Sequence, residues 1–224
     1  MIPGSGLRVG GLGADRFAPN PEPRTQNDVG VLVKLIVGLG NPGHTYHDTR
    51  HNVGFAVIQR LAERRGVDIG ERYVSPDGRP AGVYGEYRQG PETIRLLMPL
   101  TMMNESGQAL GGLDVPREAL LIVCDDANLP LGTLRLRPKG GAGGHHGLRS
   151  CLEALGTEDV PRLRIGVGTD ALPRDLEAFV LSPFQSDERP AIRRAVEQAV
   201  DACETWAVDG METTMNRYNR AQDA

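Results

Sequence analysis

Aromatic side chains are scarce in this chain of 224 residues, with four Phe, five Tyr and one Trp making up 4% of it. A core with so few rings has to be filled by Leu, Ile, Val and Ala. Cysteine is sparser still: the three thiols, Cys124, Cys151 and Cys203, are odd in number and far apart. That argues against a disulfide framework and suits a reducing, cytoplasmic setting. No apolar run approaches the roughly eighteen residues of a membrane span, so no membrane segment is expected. Residues 1–30 lack the apolar stretch of a secretory signal and read as a disordered leader ahead of one domain over residues 31–220. The Gly-x-Ser-x-Gly elbow of serine hydrolases is absent. Acidic charge is missing locally. A net charge of -4 disfavours a nucleic-acid partner, because phosphate binding rests on Lys and Arg. Yet no Asp or Glu occurs between Leu129 and Cys151, where Arg135, Arg137, Lys139 and Arg149 fall, with Arg162 and Arg164 soon after. A local basic face on an acidic protein follows.

What is present alternates between strand and helix patterns. Leu32 to Leu39 is a nearly continuous apolar run ending in glycines, the signature of a strand buried on both faces. A helix follows, with Asp48 or Thr49 as its cap, Val53, Val57 and Leu61 at helical spacing, and Gly66 as its stop. Tyr84 to Gln89 and Thr93 to Pro99 form a hairpin pattern about Gly90-Pro91, and Met102 to Leu110 reads as a helix. Ala119 to Cys124 is a second buried strand, ending at Asp125 and Asp126. A turn at Asn128 to Gly132 leads to an alternating strand through Arg137. A glycine loop then opens a helix at His146 or Gly147. Arg162 to Gly168 supplies a third core strand, and Pro190 to Trp206 a C-terminal amphipathic helix. The expected fold is α/β, a single-domain three-layer sandwich whose mixed, largely parallel sheet carries helices on both faces. In such sheets ligands gather at the carboxyl ends of strands, so Asn41 and Asp125 should share one rim.

Several chemistries can be weighed on these residues. Gly38-x-Gly40-x-x-Gly43 has the spacing of a dinucleotide fingerprint, but Pro42 sits inside it and no helix opens directly at the glycines, so a Rossmann-type oxidoreductase is a weak alternative. His44, His47 and His51 offer three imidazoles without a second ligand cluster, so no metal site is expected. His51 fits a general base, with Asp125 to fix its tautomer and favour its protonated form. Asn41 and Asn104 supply neutral amides able to donate to a developing oxyanion. Residues 140–147, leading into a helix, offer backbone N–H groups to an anion.

Taken together, residues 35–54 (LIVGLGNPGHTYHDTRHNVG), Met102-Met103-Asn104, Asp125-Asp126, Gly143 to Gly147 (GGHHG) and Trp206 to Gly210 (WAVDG) closely resemble the bacterial-type peptidyl-tRNA hydrolase family. The resemblance runs from Leu32 to Tyr218 and implies hydrolysis of the ester joining a peptide to the 3′ end of tRNA, without cofactor or metal, by a monomer. It implies His51 as the water-activating base, Asp125 as its support and Asn41 as a contact to the peptide amide. Tyr46, Met102, Asn104 and His146 would line the channel for the acyl group and tRNA end, and Arg137 and Arg164 would grip phosphate. Met102 stands where the family usually has a bulky aromatic, and His146 where it often has Asn. A catalytically inactive RNA-binding protein on the same scaffold is the rival expectation.

Overall fold

The apolar run ahead of Gly38 becomes the middle of the sheet. In a computed structural model, which describes residues 33–75, 78–111, 113, 115–169 and 174–219, strand β1 spans Val33–Gly38. The leader expected over residues 1–30 lies outside the described residues. Two strands pair parallel with β1, β4 (Glu92–Pro99) on one side and β5 (Leu120–Pro130) on the other. β7 (Arg162–Gly168) continues the parallel centre beside β5. Both margins are antiparallel. β3 (Pro80–Gln89) folds back on β4 through Gly90, whose φ of 61° needs glycine, and β2 (Glu71–Val74) lies outside it. β6 (Leu134–Arg137) closes the other margin against β7. The order is β2-β3-β4-β1-β5-β7-β6. Largely parallel thus describes the four central strands, and the flanking pairs are hairpin-like.

Side chains alternate across this sheet and build two cores, giving three layers. Ile36, Leu96, Val123 and Ile165 face one helical layer, α1 (Val53–Arg65) and α4 (Arg189–Tyr218), where Trp206 is also buried. Leu35, Val37, Leu97, Ile122 and Cys124 face the other, made of α2 (His146–Leu155) and a 3₁₀ helix, Met103–Ala109. Each fully buried Leu or Ile contributes about 1.5–3 kcal/mol, so aliphatic side chains carry what the few rings do not. All three thiols are free and buried, and burial pushes that of Cys124 up to about 12.

Local differences from the sequence reading have physical causes. Neither Asp48 nor Thr49 caps α1: a 3₁₀ turn, Arg50–Asn52, precedes the helix, and the Thr49 hydroxyl donates backwards to Tyr46 O at 2.9 Å. β5 does not stop at Asp126 but runs on to Pro130, with a shift of register against β7. The C-terminal helix extends beyond Trp206 to Tyr218, broken at Gly210, where φ is 77°. Past its end, the side-chain amide of Asn219 accepts from Leu136 N at 2.8 Å and donates to Leu136 O at 3.1 Å, on the free side of β6.

Candidate active site

Two glycines bring the start of α1 onto the sheet. A Cβ on Gly54 would lie 2.5 Å from both Leu39 O and Val123 O, and one on Gly38 would lie 2.4 Å from Gly54 O. Without side chains at either position, the turn that carries His51 reaches the end of β1 and the middle of β5 beside it. His51 Nδ1 then meets Asp125 Oδ1 at 2.8 Å. A buried carboxylate accepts at that distance from an N–H, so the proton of His51 sits on Nδ1 and Nε2 keeps its lone pair. His51 lines a cavity of about 510 Å³ at this rim.

A second imidazole reaches the same oxygen. His145, 8% exposed, is the N-cap of α2: its Nδ1 accepts from Leu148 N at 3.1 Å, and its Nε2 lies 2.9 Å from Asp125 Oδ1. Because Nδ1 is an acceptor, Nε2 must be the donor, so one carboxylate oxygen receives two N–H groups. Burial opposes the ionisation of Asp125, yet His145 and then His51 outweigh it and hold the carboxyl well below the usual carboxylate range. The ligand-type atoms of His51, Asp125 and His145 lie within 4.8 Å of one another. A metal there would need a lone pair on His145 Nε2, which the Leu148 contact denies, so the donor set suits hydrogen bonding rather than metal coordination.

The amide of Asn41 is oriented with equal definition. Asn41 and Asn52 bond reciprocally, Asn41 N to Asn52 Oδ1 at 2.8 Å and Asn52 Nδ2 to Asn41 O at 2.9 Å. Asn41 Oδ1 accepts from Met103 N at 2.7 Å, which leaves its NH₂ as the group available to the cavity it lines. Tyr46, Met102, Asn104 and His146 line the same cavity, Met102 being 42% exposed. Leu176, Val180 and Leu181 complete its wall from the segment around α3 (Leu176–Val180).

The sequence model of the peptidyl-tRNA hydrolase family matches residues 35–224. The peptidyl-tRNA hydrolase of Salinibacter ruber is 46% identical over 189 residues, which are 83% of this chain and 97% of that protein. The peptidyl-tRNA hydrolase of Syntrophomonas wolfei is 41% identical over 84% of this chain and its own full length, 100%. The crystal structure of peptidyl-tRNA hydrolase from Acinetobacter baumannii aligns with a TM-score of 0.74 at 33% identity, over 84% of this chain and 94% of that one. The chain belongs to the peptidyl-tRNA hydrolase family.

Membership removes the oxidoreductase alternative, and the glycines say why. In this member of the peptidyl-tRNA hydrolase family Gly38 makes room for Gly54, and a Cβ on Gly40 would lie 2.6 Å from the Phe55 ring, so both serve helix-on-strand packing. His44 and His47 are exposed and stack on each other with ring centroids 6.4 Å apart, while His51 turns to Asp125. Of the two arginines expected to grip phosphate, Arg137 is exposed on β6 and does not line the cavity. Arg164 does line it, but is 9% exposed and directed inward. Its Nη1 donates to Asp126 Oδ2 at 2.9 Å, and its Nη2 to Gly141 O and Ala142 O at 2.9 and 3.0 Å, which fixes the glycine loop leading to His145. The sequence reading missed His145. The signal was the adjacent pair His145-His146 at a helix start, where the cap residue turns into the sheet and the next stays exposed. Asn52 was missed too, because its role depends on a partner eleven residues away that only the turn brings back.

Proposed function

We propose that this chain hydrolyses the ester between a peptide, or an N-blocked amino acid, and the 3′ end of tRNA, with His51 as general base. The observation that carries the reading is His51 Nδ1 tied to Asp125 Oδ1 at 2.8 Å, with Nε2 unpartnered among the described residues and both His51 and Asn41 lining one cavity. Nε2 takes a proton from water as the water oxygen attacks the ester carbonyl. The ionised Asp125 favours the imidazolium that forms. Negative charge develops on the carbonyl oxygen, where the Asn41 NH₂ donates, with Asn104 in the same lining as a further amide. Collapse breaks the bond to the 3′ oxygen of the tRNA, which recovers the proton from His51. The peptide leaves as a carboxylic acid, and no covalent enzyme intermediate is needed.

Tyr46, Met102 and His146 hold the acyl group and terminal nucleotide in this reading. Met102 offers a flexible, partly exposed apolar side chain, and His146 adds an exposed imidazole to the lining. The tRNA phosphates lie along Arg135, Arg137, Lys139 and Arg149, all exposed. Arg164 supports that surface by holding the loop. The reaction needs neither metal nor cofactor, and we place it in the cytoplasm, in a monomer. Among the described residues no helix is long and apolar enough to cross a membrane.

The test is release of labelled acyl-amino acid from N-acetylaminoacyl-tRNA, with unblocked aminoacyl-tRNA as control. Wild-type protein should cleave the blocked ester, and His51→Ala should lose about 10²- to 10⁴-fold in kcat, the usual weight of a general base. Binding of the tRNA with the ester left intact would make the chain an RNA-binding protein instead.

A further inference from the structure

The wall of the cavity formed by Leu176, Val180 and Leu181 is weakly held by burial. α3 has five residues, none of them buried. What meets it is Arg50, the residue before His51, which is 2% exposed. Its guanidinium lies over the rings of Phe179 at 4.4 Å and Phe184 at 4.9 Å, and its Nη2 donates to Glu188 Oε2 at 2.6 Å. Its backbone N donates to Ser182 O at 3.1 Å, and Thr49 bridges to Pro183. The same Glu188 oxygen accepts from Gln185 N at 2.6 Å, so this carboxylate joins the segment to the arginine.

We propose, on the hydrolase reading above, that Arg50 is a positioning residue: it clasps segment 176–184 to the turn that carries His51, setting the acyl wall and the base as one unit. Three observations favour this over simple stabilisation. A buried ion pair is weak support for a fold, because losing water offsets most of its attraction. Arg50 Nε is buried without a hydrogen-bond partner among the described residues, a cost that a purely stabilising side chain would not retain. Finally, the contacts use the shape of guanidinium. A flat face covers two rings while the edge donates to a carboxylate, and an ammonium has no such face.

The experiment is steady-state kinetics on N-acetylaminoacyl-tRNA and on a longer peptidyl-tRNA, for wild type, Arg50→Lys, Phe179→Leu and Phe179→Tyr. Loss of folded protein lowers apparent kcat but leaves the KM of the remaining enzyme unchanged, so KM is the discriminating readout. Arg50→Lys keeps the charge and loses the stacking face. It should raise KM about fivefold and lower kcat about tenfold, a displacement effect on wall and base together. Phe179→Leu should also raise KM, and Phe179→Tyr, which restores a ring, should return it to the wild-type value. If Arg50→Lys fails to fold, the Leu and Tyr variants at the half-buried Phe179 decide. Wild-type KM in Phe179→Leu, and in Arg50→Lys where it folds, overturns the proposal and leaves the hydrolase reading standing. No turnover by the wild-type protein overturns both.

Discussion

Replacing His145 by alanine removes two hydrogen bonds at once. One is the cap to Leu148 N at 3.1 Å, and the other is the donor to Asp125 Oδ1 at 2.9 Å. A lost N-cap costs about 0.5–2 kcal/mol, and a hydrogen bond to a charged group contributes about 1.5–3 kcal/mol. The bonds share a side chain and are not additive, so a loss of about 2–4 kcal/mol is expected, or roughly 5–15 °C in Tm for a domain of this size. Activity should respond differently. Asp125 keeps its bond from His51 Nδ1 and stays ionised at neutral pH, so the base retains its tautomer. About a tenfold loss in kcat is expected, equivalent to about 1.4 kcal/mol of orientation. The pH dependence has a definite sign. Asp125 titrates lower in the folded chain than unfolded, so its stabilisation is present above the unfolded value and is lost as pH falls through the folded one. Removing His145 relaxes part of that depression. The gap in Tm between wild type and His145→Ala should therefore be full at neutral pH and narrow below about pH 4, near the ordinary carboxylate value. Differential scanning calorimetry between pH 7 and 3, beside single-turnover hydrolysis, reads both effects. A rate loss matching that of His51→Ala would refute the reasoning, because His145 would then act on the reacting atoms. An unchanged Tm would refute the assigned cap.

Other consequences concern the support of the base and the basic face. Asp125→Asn should lower kcat by about 10³-fold or more, since an amide neither holds the Nδ1–H tautomer with certainty nor favours imidazolium; single-turnover rates at pH 7 measure it. Gly54→Ala places a methyl 2.5 Å from Leu39 O and Val123 O. It should cost about 1–3 kcal/mol in urea unfolding while displacing the His51 turn and depressing kcat. Neutralising Arg135, Arg137 or Lys139 to Gln should reduce the slope of log binding against log salt by about 1 each, with little change in kcat. Filter binding across a salt series reads that slope, and an unchanged slope would place the tRNA elsewhere.

The long apolar strands were legible because burial on both faces leaves a continuous pattern, and β1, β5 and β7 follow it. The shared rim of Asn41 and Asp125 was legible from the glycine that ends β1 and the acids that interrupt the apolar run of β5, although β5 itself runs on past them to Pro130. Short-range geometry was less so. The 3₁₀ turn at Arg50–Asn52 has no periodicity of its own, and the glycines that admit it, Gly38 and Gly54, meet only in space. Arg164 read as a cation facing phosphate because its partners, Asp126 and two loop carbonyls, come from distant stretches of chain. His145 was hidden by its neighbour: charge and residue type are alike in His145 and His146, and only the direction of the helix start separates them.

Asn219 ends the described chain by holding both backbone groups of Leu136 with one side-chain amide. A peptide unit added to a growing sheet would make the same two bonds at the same place. The residue that follows α4 therefore acts as a stopper on an open strand margin, the surface through which sheet proteins recruit copies of themselves. Shelf life and solubility on concentration should depend on this residue even though the chemistry of the cavity does not, and removing Asn219 would uncover a template for self-association.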